Sequence, residues 1–155
     1  MTEFDIQRKL YGRFLEIDSF ARQHGYNGAP FILNDAEGKP ANVHVANEPF
    51  REPDDGRWFD LALVTNEPVP SGLYEDAQNT YTGVLYIDIY TPVDVGEKES
   101  ELKYRWISRL FSRGLYIDGG IDIERCYIST RDNRNGTYRT QAAVEWFAEI
   151  DKEEI

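Results

Sequence analysis

Between Thr80 and Phe111 the spacing of the apolar residues changes once, and that change limits what the chain can fold into. In "TYTGVLYIDIYTP" the residues Leu85, Ile87 and Ile89 alternate with Val84, Tyr86, Asp88 and Tyr90, the period of a strand with one face in a core. In "EKESELKYRWISRLF" the residues Leu102, Trp106 and Leu110, with Ile107 and Phe111, fall on one stripe of an amphipathic helix. Pro92 and Gly96 separate the two patterns. Glu97, Glu99 and Glu101 gather at the helix start, where the dipole favours negative charge. A strand feeding such a helix implies a layer of helix on sheet. The second strand face, with Tyr86 and Tyr90, is amphipathic and suits either water or a neighbouring chain.

The flanks extend this reading. Ile6, Leu10, Phe14, Ile17 and Ala21 predict one long helix over residues 3–23, capped by Thr2 and ended by "HGYNGAP". "FILNDAEGKP" reads as a short strand running into a turn, with "ANVHVANEP" as its partner and "EPFREPDDG" as loop. "RWFDLALVT" alternates, with Phe59, Leu61 and Leu63 on one face. "NEPVPSGLYEDAQN", residues 66–79, is too long for a tight turn and reads as a functional loop, with Pro68, Pro70, Leu73 and Tyr74 as candidate contacts. Arg105, Arg109 and Arg113 step by four down another side of the second helix, and Gly114 closes it. Strands over residues 121–130 and 137–150 flank "RDNRNG", whose Asn-Gly is a hairpin signal. The predicted class is α+β, a mostly antiparallel sheet packed against two helices in the order helix, strands, helix, β-hairpin. One domain spans residues 1–155, with a short acidic tail from residue 151.

Charge and composition narrow the function. Seventeen Lys and Arg against 28 Asp and Glu leave a net charge of −11, which opposes binding to phosphate backbones. Such a surface serves solubility, or keeps DNA from adhering to the wall of a channel it traverses. Cys126 is the single cysteine, so no internal disulfide forms, in keeping with a reducing compartment. The first residues are too charged for a signal peptide and no stretch is long enough to span a membrane, which predicts an intracellular soluble protein.

The chemistry-bearing residues do not converge. Asp54 with Asp55, and Asp118 with Asp122 and Glu124, are the acid clusters, and nothing beside them in sequence supplies burial or a partner charge. His24 falls at a helix end and His44 in a strand; a zinc site or a nucleophilic triad would need further partners. Phosphate-cradling glycine motifs are absent. The expectation is no catalysis, no metal and no cofactor. The arginines at 105, 109 and 113 have two readings: they pair with nearby acids, or they set the register of an acidic neighbouring subunit.

The stretch from Thr80 to Leu115 resembles the signature region of the tail-terminator, or tail-completion, proteins of long-tailed bacteriophages. Its Gly83, the Tyr90 and Pro92 turn, Gly96, the Leu110–Phe111 pair and Gly114 carry the likeness, with "GRWFDLALVTNEPVPSG" and "AAVEWFAEI" on either side. The resemblance implies a structural virion protein, assembled in the host cytoplasm and placed at the tail–neck region. It implies a hexameric ring of this chain that stops elongation of the tail tube protein, meets head connector and neck proteins, and lets the genome DNA pass without sequence-specific contact or any membrane. Alternatives from the same setting are a head-side neck adaptor or a tail-tube protein. From other classes they are an acidic cytosolic binding or inhibitor protein, or a hydrolase using an acid pair. The interface candidates are Arg105, Arg109, Arg113, Pro68, Pro70, Leu73, Tyr74, Tyr86 and Tyr90.

Overall fold

The computed structural model describes residues 2–70, 79–117, 119–134 and 136–150, with Pro70 and Arg134 described by backbone alone. The chain is α+β, with helices α1 (Glu3–Leu15), α2 (Ile17–Gln23) and α3 (Lys98–Leu110). Its strands are β1 (Val43–Val45), β2 (Trp58–Thr65), β3 (Val69–Pro70), β4 (Asn79–Pro92), β5 (Tyr116–Ile117), β6 (Ile121–Arg134) and β7 (Thr137–Ile150). The strands form one sheet in the order β1-β2-β4-β7-β6-β5, with β3 pairing the start of β4. Every pairing is antiparallel except β1 with β2.

Several features differ from the sequence reading. The predicted first helix is two helices broken at Glu16 (φ −84°, ψ 3°), so three helices cover the sheet rather than two. The apolar stripe keeps its phase across the break: Ile6, Leu10, Phe14, Ile17 and Ala21 are all buried. Separate partners hold the two halves. Arg13 donates to the Leu110 carbonyl at 3.0 and 3.2 Å, while the Asp18 carboxylate accepts from the amides of Phe31 and Ile32 at 2.7 and 3.1 Å. Those bonds also explain why "FIL" is not a strand. The Leu33 amide is bonded as well, by Asn42 Oδ1 at 2.9 Å, so all three donors go to side chains instead of a ladder. The expected partner strand exists as β1 but lies parallel to β2, Val43 opposite Phe59.

At the start of α1, Thr2 and Asp5 form a capping box, each side chain accepting from the other's amide. All three helices pack on one face of the sheet, over Phe59 and Leu61 of β2, Leu85, Ile87 and Ile89 of β4, and Ala142, Val144 and Trp146 of β7. This alternation is the one that the spacing of β2, β4 and β7 predicts. Phe14 meets Phe59 edge-on at 5.2 Å, and Trp106 of α3 contacts Phe20 and Tyr26 from the α2 side. The first turn of α3 is tied to Arg57, the residue before β2, whose Nε lies 2.7 Å from Glu99, itself 3.5 Å from the largely buried Lys103. Burial lowers the Lys103 pKa, opposed by Glu99. Helix α3 ends at Leu110 with Phe111 as its cap, so Arg113 stands beyond the helix and is not the third member of a helical stripe. The terminal hairpin is longer than expected: β6 runs to Arg134, with irregularities between Ile123 and Arg125 and between Ile128 and Thr130.

Candidate functional site

With the helices on one side, the alternate residues of β2, β4, β7 and β6 form a helix-free face whose cross-strand rows follow from the register. One row joins Trp58, Tyr90, Arg139 and Asp132; the next joins Asp60, Asp88, Gln141 and Thr130; the next joins Ala62, Tyr86, Ala143 and Tyr127. A fourth joins Val64, Val84, Glu145 and Arg125. The two middle rows differ in character. Tyr86 and Tyr127 flank the fully buried Ala143 in an apolar centre, whereas the Asp60 row is polar throughout.

The charges of this face are netted together. The Arg139 guanidinium makes a bidentate pair with Asp132 at 3.0 and 3.1 Å and reaches Asp88 at 3.5 Å. The other Asp88 oxygen accepts from Gln141 Nε2 at 2.8 Å, and Gln141 Oε1 accepts from Ser129 at 2.7 Å. Asp60, in register with Asp88, holds His44 Nδ1 at 3.0 Å. Arg125 grips Glu145 with both carboxylate oxygens engaged. That hydrogen bond holds the Glu145 carboxyl below the usual range, so its contribution to stability is present above pH 4.5 and is lost as pH falls through the folded value. Arg125 is well exposed, and the contribution is correspondingly small.

Asp60 behaves oppositely. Burial is the largest cause raising its pKa, the neighbouring Asp88 adds to it, and His44 opposes it. Folding therefore favours the protonated carboxyl, and the ionised form is a penalty at neutral pH that is relieved as pH falls through the raised value. An Asp60→Asn substitution, which keeps an acceptor for His44, is expected to be more stable than the wild type at pH 7. Thermal melts between pH 7 and pH 4 should show that advantage shrinking as the wild-type carboxyl takes up its proton.

The sequence-predicted residues scatter. Tyr86 is half-buried on the helix-free face. Tyr90 is 9% exposed and stacks on Trp58 at 4.1 Å, with Phe50 and His44 completing the cluster. Pro68 precedes β3, which contains Pro70; Leu73 and Tyr74 lie outside the described residues. Arg105 and Arg109 are exposed on α3, Arg109 lying over the Trp106 ring at 4.5 Å. Arg113 lines a shallow depression with Asp122, Glu124 and Glu145. Asp118 lies outside the described residues, and Asp54 and Asp55 are exposed in a turn. His24 caps α2, its Nδ1 lying 2.7 Å from the Phe20 carbonyl oxygen. Burial pushes the Cys126 thiol up to about 12, far from a reactive thiolate. Among the described residues, no three His, Cys, Asp or Glu side chains are placed to hold a metal ion. The polar row of Asp60, Asp88 and Gln141, with Arg139 reaching it from the neighbouring row, was missed by sequence reading. Its only signal there was a polar residue at an outward position of each strand.

A profile of the phage tail terminator proteins matches residues 32–145, most of the chain and all of β1 to β6 with most of β7. The chain belongs to the phage tail terminator family. Its place is therefore among the structural proteins of a phage tail, in the virion, assembled with other virion proteins. Two solved structures are similar to this family member. One, which carries no functional name, has a TM-score of 0.61 at 13% identity, covering 92% of this chain and 94% of its own, and so shares the fold. The other, from the virion of a native gene transfer agent particle, has a TM-score of 0.41 at 14% identity, covering 71% of this chain and 78% of its own. No curated protein matches the sequence. Among the described residues no helix is long and apolar enough to cross a membrane.

Proposed function

We propose that this chain caps the phage tail tube as a closed hexameric ring, ends its elongation and joins it to the head connector, acting by binding alone. The observation that carries the reading is the family match over residues 32–145. The helix-free face adds physical support for a lumen wall. Its described arginines, Arg125 and Arg139, are both held by carboxylates, so neither is a free cation that would displace phosphate counterions from DNA. Asp60, Asp88, Asp132 and Glu145 leave it acidic, so passing DNA would be repelled rather than retained.

Electron microscopy of lysates from an infection in which this gene carries a stop codon tests the proposal. Overlong or ragged tails, separate from filled heads, are the expected result. Tails of normal length left unjoined to heads would move the chain to a neck adaptor, and intact infectious particles would overturn the reading.

A further inference from the structure

The two flanks of the sheet carry opposite charge and unequal edges. On one side β6 is the outer strand for most of its length, because β5 pairs only Ile121 and Asp122. The outward backbone groups of β6 can be followed from residue to residue. Ile123 exchanges bonds with Gly114 and Leu115, and the Cys126 carbonyl accepts from the Tyr104 hydroxyl at 3.4 Å. Backbone alternation, stepped by the irregularity between Ile128 and Thr130, then turns Ile128, Arg131 and Asn133 outward. No strand pairs with them among the described residues. An open edge of this length is a template for another strand.

Charge distinguishes that edge. Arg131 is exposed on it and lies close enough to act on the Tyr104 hydroxyl of α3, the helix that also carries the exposed Arg105 and Arg109. Neither Arg131 nor these two has a carboxylate at ion-pair distance among the described residues, although Glu101 precedes Arg105 by one turn and Glu124 lies further along β6. In a chain of net charge −11, arginines without a carboxylate partner on β6 and α3 are a contrast to the netted pairs of the helix-free face. The opposite flank carries exposed acids in the segment that follows β1: Glu48 and Glu52 are both exposed, and neither has a cation at ion-pair distance among the described residues.

We infer that neighbouring copies dock head to tail, the β6 and α3 flank of one copy against the acidic β1 flank of the next. This rests on the ring reading above and names the surfaces that close it. The register puts the two flanks level. Arg131 faces Thr140, Thr140 faces Ile89, Ile89 faces Phe59 and Phe59 faces Val43, so one cross-strand row runs from edge to edge. The strand directions agree as well: the pairings make β6 run opposite to β1, so copies related by rotation about an axis along the strands bring these edges together antiparallel. A two-fold pairing of β6 with β6 would instead set Arg131 against Arg131. Head-to-tail contacts are the kind that close rings.

Native mass spectrometry and sedimentation of the full chain test the contact. Wild-type protein is expected to form a closed assembly, weakened by salt. Arg131→Glu and Arg105→Glu are each expected to raise the concentration needed for assembly by about tenfold or more. Mixing the Arg105→Glu, Arg131→Glu double variant with a Glu48→Lys, Glu52→Lys variant should restore mixed assemblies. Arg131→Pro removes an outward amide without touching the ladder to β7, so it should fold with an unchanged circular dichroism spectrum and still fail to assemble. Variants that assemble like the wild type would overturn this interface and leave the ring standing. A wild-type chain that stays monomeric, both alone and on purified tail tubes, would overturn the ring and the interface with it.

Discussion

A Gly83→Ala variant is expected to lose about 3 kcal/mol of stability, at the upper end of what one added methyl costs a packed core. A Cβ at this position would lie 2.3 Å from the Val64 carbonyl oxygen and 2.6 Å from Cζ2 of Trp146. The first contact is backbone of the adjacent strand and cannot swing aside. The second is the indole of a residue that is 1% exposed and held in the core. Gly83 has no unusual φ; its requirement is space, at a point where β2, β4 and β7 converge beneath the largest core side chain. Adding Trp146→Leu would vacate the indole while leaving the carbonyl in place. The double variant should therefore recover only about 1 kcal/mol of the non-additive term in a mutant cycle. Urea unfolding of the four proteins measures it, and full additivity would mean that the indole takes no part in the penalty at Gly83.

What could be read from the sequence follows from which forces are local. The alternation of β4 was legible because one of its faces is fully buried, and a one-residue slip would have exposed Leu85, Ile87 and Ile89 together. The stripe of the first helices was legible for the same reason. The break at Glu16 was not, because it keeps the stripe in phase and periodicity cannot see a turn that moves no side chain off the buried face. Residues 31–33 misled because their amides are claimed by Asp18 and Asn42, which lie 9 to 14 positions away. The parallel placing of β1 is a tertiary choice of the same kind. At the candidate surfaces, spacing located Arg105 and Arg109 but carried Arg113 past a helix end set by Phe111. The network around Arg139 is assembled from four strands, and no stretch of sequence holds more than two of its members.

That network supplies the second large effect. In Arg139→Leu the guanidinium shared by Asp88 and Asp132 is removed, while Arg139 and Asp88 are 11% and 13% exposed. Removing one partner of a buried pair leaves the other charge uncompensated, which costs about 3–5 kcal/mol in fully buried cases. Asp132 is 37% exposed and can rehydrate, so a loss of about 2–3 kcal/mol is expected here. Arg139→Lys keeps the charge but loses the two-pronged grip on Asp132, and should cost about 1 kcal/mol. Arg125→Leu, at the exposed pair with Glu145, should cost the least of the three, because solvent screens that pair. That ordering, read from denaturant midpoints at pH 7, separates a network that holds β4, β7 and β6 in register from a merely charged surface. Equal losses for Arg139→Leu and Arg125→Leu would show that the row through Asp88 is solvated and contributes little. If the face lines the ring, Arg139→Leu also makes the lumen more acidic without adding a cation. Tails that carry it should then fail through lowered abundance of the folded chain, and not through retained DNA.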